Sequence, residues 1–144
     1  VGDNGLVLRS DDGGGVWSLL SVGSYPTLYS VYFKNAREGF AVGQEGSFLY
    51  TGDGGVSWER RFLSPEVADT SLYKICFKGS DGLIVGDRGL ILRSSDGGTD
   101  WQKEPSALSP PLPWLIDTCI VSRNSPGEAI VVGQGTMIRV PIGK

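Results

Sequence analysis

The stretch VGDRGLILRSSDGGTDW, Val85 to Trp101, holds two tight turns and the strand between them, and it returns along the chain. VGDNGLVLRSDDGGGVW stands at Val1 to Trp17, VGQEGSFLYTGDGGVSW at Val42 to Trp58, and the shorter VGQGTMIRV at Val132 to Val140. The starts lie 41, 43 and 47 residues apart, the period of a unit of four antiparallel strands. Many of the 22 glycines among 144 residues fall in register within these copies. The chain therefore reads as a repeat protein and not as a single irregular core.

Outward from the copies, β-branched and aromatic runs bounded by turn residues give the strands, and no segment reads as a helix. In the two middle units Tyr29–Phe33 and Tyr73–Phe77 are expected as first strands, and Gly39–Val42 and Gly82–Val85 as second strands. Ser47–Tyr50 and Leu90–Arg93 follow as third strands, with fourth strands near Trp58–Phe62 and Trp101–Lys103. The second and third strands are joined by Asp3-Asn4-Gly5, Gln44-Glu45-Gly46, Asp87-Arg88-Gly89 and Gln134-Gly135. The closing Gly of so short a connection supplies the positive φ that a tight hairpin demands. The expected fold is an all-β propeller, with units at 1–20 (partial), 28–63, 72–104 and 115–142 (partial) in one propeller region over 1–144. Taking the first unit to enter at its second strand and the last to end at its third gives about fourteen strands. Three and a half blades are fewer than the 4–8 of a ring, so the expectation is a stretch of a longer propeller, or an arc that closes against another chain.

The third and fourth strands are joined by S/T-x-D-x-G-x-x-W, which occurs three times: Ser10, Asp12, Gly14, Trp17; Thr51, Asp53, Gly55, Trp58; Ser94, Asp96, Gly98, Trp101. An Asp carboxylate turned back on its own loop accepts backbone N–H groups, Gly permits the left-handed residue, and Trp covers the turn. The motif reads as a structural staple. The rival reading, three aspartates forming a metal or catalytic set, fails because copies 43 residues apart sit on separate blades.

Composition removes most chemistry. The chain has no His, so it offers no imidazole base, no His metal ligand and no Ser-His-Asp relay. Two cysteines do not make a zinc site, and no cofactor or metal is expected. Thirteen basic against 16 acidic side chains, a formal charge of −3, argue against a duplex nucleic-acid binder. At 40% hydrophobic residues the chain can bury a core. Apolar runs such as Gly82–Gly86 are far shorter than the roughly 20 residues of a membrane-spanning helix. The sequence opens at Val1 without a Met or a charged-then-apolar leader, so a targeting peptide is expected to have been removed or never included.

The repeated turn is the Asp box of β-propellers, and the whole unit, VGDRGLILRSSDGGTDW above all, resembles the seven-bladed photosystem II assembly and stability factors. Sialidases share the turn but seldom the preceding Val-Gly-x-x-Gly hairpin. The resemblance covers nearly the whole chain and is weakest after Pro105, where the last unit has no Asp box. It implies a non-catalytic scaffold that binds a photosystem or other thylakoid membrane protein from the thylakoid lumen, with periplasmic or extracellular sites as alternatives. It also implies a basic patch of hairpin-tip arginines that holds an extended, partly acidic segment. Only Arg88 matches that patch, because Asn4 and Glu45 occupy the equivalent tips and the fourth tip is one residue shorter.

In a propeller the hairpin tips and interblade links share one face and the Asp-box turns the other. Partner contacts are therefore expected from Arg88, Glu45 and Trp114 and from the links Leu20–Leu28, Leu63–Leu72 and Pro105–Leu115, or across the incomplete edges at Val1–Leu8 and Gly135–Val140. The bland alternative for Arg88 is a solvated turn residue. Arg9, Arg93 and Arg139 recur just before the Asp-box position and read as interblade packing or as partners of the Asp-box acids. Tyr29, Tyr32 and Tyr73 read as core or channel lining. Aligned on Phe33, Phe77 and Val121, Cys76 and Cys119 fall one position apart and should face opposite sides, as free thiols. Two other functions stay open: a permanent structural subunit of a large membrane complex, and an Asp-box sialidase-like glycan-handling protein, for which no acid, nucleophile and Arg cluster is evident.

Overall fold

Successive side chains of a strand point to opposite faces of its sheet, and here both faces of the second strands are apolar, so each sheet needs a neighbour on either side. The computed structural model describes residues 1–20, 23, 25–105, 108, 110–121 and 127–142. The first sheet pairs β1 (Val7–Arg9) with β2 (Ser18–Leu20). The second runs in order through β3 (Leu28–Phe33), β4 (Gly39–Gly43), β5 (Phe48–Thr51) and β6 (Glu59–Arg60). The third repeats it with β7 (Leu72–Lys78), β8 (Asp81–Gly86), β9 (Ile91–Ser94) and β10 (Gln102–Lys103). The fourth has β11 (Leu115–Val121), β12 (Gly127–Gly133) and β13 (Thr136–Ile142). All pairings are antiparallel between sequence neighbours.

Thirteen strands are thus present among the described residues, one fewer than the sequence tally. The difference lies at Val1–Gly2: Gly2 donates to the Leu6 carbonyl and accepts from Leu28 N–H, so these residues tie a hairpin to a link and form no strand ladder. The fourth strands of the second and third sheets are also shorter than expected, at two residues each, and 3₁₀ turns occur at Asp3–Gly5, Pro65–Val67 and Asp87–Gly89.

The sheets stack through two kinds of face. The face of the second sheet that carries Phe40, Val42 and Phe48 packs on Leu72, Ile75, Phe77, Ile84 and Leu92 of the third, with Trp101 edge-on to Phe48 and Phe77 at 5.9 and 5.7 Å. The third sheet repeats the contact with Leu83, Val85 and Ile91 against Leu115, Val131 and Val140 of the fourth. Val7 of the first meets Leu28, Ala41 and Leu49 of the second, again beside a Trp, Trp58. This sandwiching makes β4 and β8 buried along almost their whole length, a pattern that looks unlike an ordinary half-exposed strand.

Register corrects the reading of the cysteines. Cys76 lies opposite Leu83 and Cys119 opposite Ile130, and these are equivalent places in successive sheets, since Leu72 pairs with Gly86 as Leu115 does with Gly133. The equivalent of Phe77 is Ile120 and not Val121. The extra residues of the fourth unit follow its first strand, so an alignment anchored at Val121 slips by one. Both thiols therefore point to the same side of their sheets, the side that Cys76 turns toward the fourth sheet, instead of to opposite sides. Cys76 is packed against the third-to-fourth core and Cys119 is exposed, and both are free.

Candidate functional site

At the hairpin-tip end, the second and third strands of the first three units are joined by the same two-residue turn. Asn4-Gly5, Glu45-Gly46 and Arg88-Gly89 all have positive φ at both positions, 53° at each non-glycine residue, as a type I′ turn requires. Each turn closes with a backbone bond, Leu6 N–H to Asp3, Ser47 to Gln44 and Leu90 to Asp87, at 2.9–3.0 Å. A non-Gly residue pays for αL with strain, on the order of 1 kcal/mol, yet this conformation also thrusts its side chain clear of the sheet. Asn4, Glu45 and Arg88 are all exposed.

The tips are latched to their surroundings. Gly46 N–H donates to Thr70 and Gly89 N–H to Pro113, both at 2.9 Å, in the links that lead to the next sheet. The glycine of the last three Val-Gly pairs serves a second purpose: a Cβ at Gly43, Gly86 or Gly133 would collide with the carbonyl oxygen of Thr27, Ser71 or Trp114. Those same carbonyls accept from Gln44, Asp87 and Gln134 N–H at 2.9–3.0 Å. The face is thus a row of clamped turns with projecting side chains.

Arg88 and Trp114 are brought together, because the Gly89–Pro113 bond puts the Arg88 turn beside the residue that precedes Trp114, whose side chain is exposed. Glu45 stands on the neighbouring tip, over a hollow of about 340 Å³ that includes Phe62, Leu63, Pro65 and Val67. Phe62 lies almost fully in solvent beneath the Arg60 guanidinium. Of the link Pro105–Leu115, residues 106, 107 and 109 lie outside the described residues, as do 21, 22 and 24 of Leu20–Leu28.

Two features of this face escape the sequence reading, one with a faint signal and one with none. The first strands bulge after Leu28, Leu72 and Leu115, and the extra residues, Tyr29, Tyr73 and Ile116, form a row at the tip end. Tyr29 and Tyr73 have ring centroids 5.2 Å apart. Tyr73 donates its hydroxyl to Asp87 Oδ1 at 2.8 Å, and burial followed by that carboxylate pushes its pKa up to about 12. The repeated Leu-Tyr pair at 28–29 and 72–73 was the available signal. The Phe62 hollow had none.

At the opposite end lie the Asp boxes. Asp53 Oδ1 accepts from Val56 and Ser57 N–H at 3.0 Å, Oδ2 accepts the Ser57 hydroxyl at 2.6 Å, and Thr51 Oγ1 donates to Oδ1 while accepting Gly55 N–H at 2.9 Å. Ser94, Asp96 and Gly98 repeat this pattern, as do Ser10, Asp12 and Gly14. Hydrogen bonds to the ionised carboxylate hold Asp53 well below the ordinary range, the Ser57 hydroxyl and N–H first, and Asp12 and Asp96 are lowered mainly by backbone N–H groups. Trp17 and Trp101 donate Nε1 to Gly14 and Gly98 carbonyls, whereas buried Trp58 Nε1 makes no such bond. The tip of the turn is solvent-facing, and the buried members are Thr51 with Gly55 and Ser94 with Gly98.

Arg93 and Arg139 pair across strands and Arg9 pairs within the turn that follows it, none of them with the Asp-box acids at 12, 53 and 96. Arg9 meets Asp11 at 2.6 Å, Arg93 lies between Asp81 and Glu104 at 3.6 and 3.7 Å, and Arg139 meets Glu128 at 3.3 Å. Tyr32 donates to the Phe77 carbonyl, binding two sheets together. Among the described residues no group of three or more Cys, Asp or Glu could hold a metal ion, and no helix is long and apolar enough to cross a membrane.

Stacked antiparallel sheets, with Asp-box turns at one end and clamped hairpin tips at the other, define a segment of an Asp-box β-propeller. The chain belongs to the family described as photosynthesis system II assembly factor YCF48, whose model matches residues 14–130. It is 35% identical over 72 residues to the photosystem II assembly lipoprotein Ycf48 of Synechococcus sp. (strain CC9902), covering 46% of this chain and 21% of that protein. Against the lipoprotein of the same name from Prochlorococcus marinus (strain NATL2A) the identity is 36% over 66 residues, 45% of this chain and 20% of that one. Among solved structures it resembles "YCF48 bound to D1 peptide" (TM-score 0.62, 29% identity, 78% of this chain and 35% of that one). It also resembles YCF48 from Cyanidioschyzon merolae (TM-score 0.57, 26% identity, 79% and 39%). The chain spans about a fifth of the length of the curated relatives it matches.

Proposed function

We propose that this chain is part of a non-catalytic scaffold for photosystem II assembly that holds an extended polypeptide segment of a photosystem membrane protein on its hairpin-tip face, in the thylakoid lumen. The observation that carries the reading is the row of clamped type I′ tips, which projects Glu45 and Arg88 beside Trp114 and the Tyr29–Tyr73 pair from a rigid frame. Arg88 supplies a charge for an acidic residue of the segment, and Trp114 with the tyrosines supplies apolar contact. The relative whose structure is titled as bound to a D1 peptide supports a peptide as the ligand. The lipoprotein names of the curated relatives support a membrane-associated, lumen-side location. A histidine-free sequence supports a binding role over catalysis.

The test is a titration of the purified chain with overlapping synthetic peptides that cover D1, followed by fluorescence anisotropy. One region of D1 is expected to bind, and Arg88→Glu is expected to weaken it chiefly at low salt, since exposed charge pairs are screened within about 8–10 Å at physiological ionic strength. Trp114→Ala should weaken binding at any salt. Binding that is indifferent to both substitutions, or absent for every peptide, overturns the reading.

A further inference from the structure

Phe62 is the most exposed large apolar side chain among the described residues, at 86%, and the repeat does not account for it. Arg60 pairs with Leu49 as Lys103 does with Leu92, so the counterpart of Phe62 in the third unit is Pro105, and the shared framework calls for no aromatic there. Nor does its exposure reflect an unstacked flank. Phe62 leaves the sheet edge after β6, at the entrance to the link between the second and third sheets, and both of those sheets are in place.

The hollow beside Phe62 has a fixed floor. Leu63 packs against the core between the second and third sheets, and Val67 is buried in it. The Glu45 turn is pinned to the same link: Gly46 N–H donates to the Thr70 carbonyl, and a Cβ at Gly46 would stand 2.5 Å from the Val67 carbonyl oxygen. An apolar hollow held in this way is preformed for a ligand side chain. Its rim is acidic. Glu45 belongs to the lining, and Glu66 and Asp69 interleave with the lining residues Pro65, Val67 and Ala68 along the link; all three acids are exposed, with no ion pair among the described residues. The one cation of the lining, Arg60, lies over the Phe62 ring at 5.5 Å. The next tip carries Arg88 in the same turn conformation, so neighbouring tips are opposite in charge.

We infer that this hollow is a second subsite of the hairpin-tip face, which takes an apolar side chain of an extended polypeptide together with the Lys or Arg beside it in that polypeptide. The apolar side chain lies against Phe62, Leu63 and Pro65, and its basic neighbour meets Glu45. Burial of the apolar group supplies most of the affinity, and Glu45 supplies the choice of charge, because an exposed ion pair contributes little by itself. The three carboxylates of the rim turn away an acidic neighbour. The inference rests on the hairpin-tip reading only in assigning this polypeptide to the segment whose acidic residue meets Arg88. Opposite charges on adjacent tips then also fix the direction in which that segment lies.

Two synthetic peptides test it, acetyl-Gly-Lys-Phe-Lys-Gly-amide and acetyl-Gly-Asp-Phe-Asp-Gly-amide, each titrated into the isotope-labelled chain and followed by amide chemical shifts. The lysine peptide is expected to shift the Gly46, Phe62, Leu63 and Val67 amides, and the aspartate peptide to bind there about fivefold more weakly at low salt. Phe62→Ser should lower the lysine peptide's affinity about tenfold, and Glu45→Gln about two- to fivefold at low salt. Glu45→Arg copies the residue that the third tip carries at the same φ of 53°, and it should erase the preference for the lysine peptide. Arg88→Glu should leave that peptide's affinity unchanged at physiological salt, where charges are screened beyond about 8 Å. Shifts confined to other parts of the chain, equal affinity for the two peptides, or binding indifferent to Phe62→Ser overturns the inference, even where a D1 peptide binds through Arg88. If the lysine peptide binds as described and no D1 peptide does, the subsite stands and the D1 reading falls.

Discussion

Replacing Thr51 by Val removes one hydroxyl from a side chain that is only 1% exposed, with almost no change of shape. That oxygen accepts Gly55 N–H at 2.9 Å and donates to Asp53 Oδ1 at 2.8 Å. The Gly55 group is buried, and with its acceptor gone no water reaches it, which costs about 1–3 kcal/mol. The bond to Asp53 is replaced by solvent, because that carboxylate lies at the surface, and it adds little. A net loss of about 2 kcal/mol corresponds to a melting temperature lower by roughly 4–8 °C for a chain of this size. The same box in the first sheet provides the internal comparison. Ser10 accepts Gly14 N–H at 2.8 Å, but that turn is exposed, so Ser10→Ala should cost less than half as much. Thr51→Ser keeps the oxygen and copies the residue at 10 and 94, and it should stay near wild type. Thermal and urea unfolding followed by tryptophan fluorescence give the comparison. If Thr51→Val melts within about 1 °C of wild type, or no lower than Ser10→Ala, burial is not what sets the value of the box hydroxyl.

Two further outcomes follow from the titrating groups. Asp12, Asp53 and Asp96 have folded-state pKa values below the ordinary carboxylate value of 3.8, so their contribution to stability is present above that value and is lost as the pH falls below it. The urea midpoint should decline on acidification below about pH 4, and Asp53→Asn should flatten the decline; an equal slope in the variant would disprove the assignment. The thiols should separate in the opposite sense of exposure: burial, with Cys119 nearby, pushes Cys76 up to about 11, while Cys119 is exposed. An aromatic disulfide reagent at neutral pH should therefore label Cys119 first and Cys76 only as the chain opens, and equal rates would contradict the packing of Cys76.

Local chemistry was legible in the sequence because its causes are local. Asn-Gly, Glu-Gly and Arg-Gly between a Val-Gly pair and an apolar run already demand positive φ, and Ser/Thr-x-Asp-x-Gly closes a turn with atoms no more than four residues apart. The order of strands within each unit followed from the same punctuation. What a side chain faces across a junction is a property of two sheets about 43 residues apart, and it was decided only by stacking. Phe33 and Phe77 occupy the same place in the repeat, each with the Trp of its own unit edge-on to it, yet one is open and the other buried, because only Phe77 has Phe40 of the preceding sheet against it. The cysteines show the same limit in register: four extra residues after a strand and four before it look alike in a sequence, but only the hydrogen-bond ladder, opposing Cys119 to Ile130 as Cys76 is opposed to Leu83, fixes which face each thiol takes. Side-chain alternation of period two makes that single-residue slip a reversal of direction, and the ladder that prevents it exists only in the folded sheet.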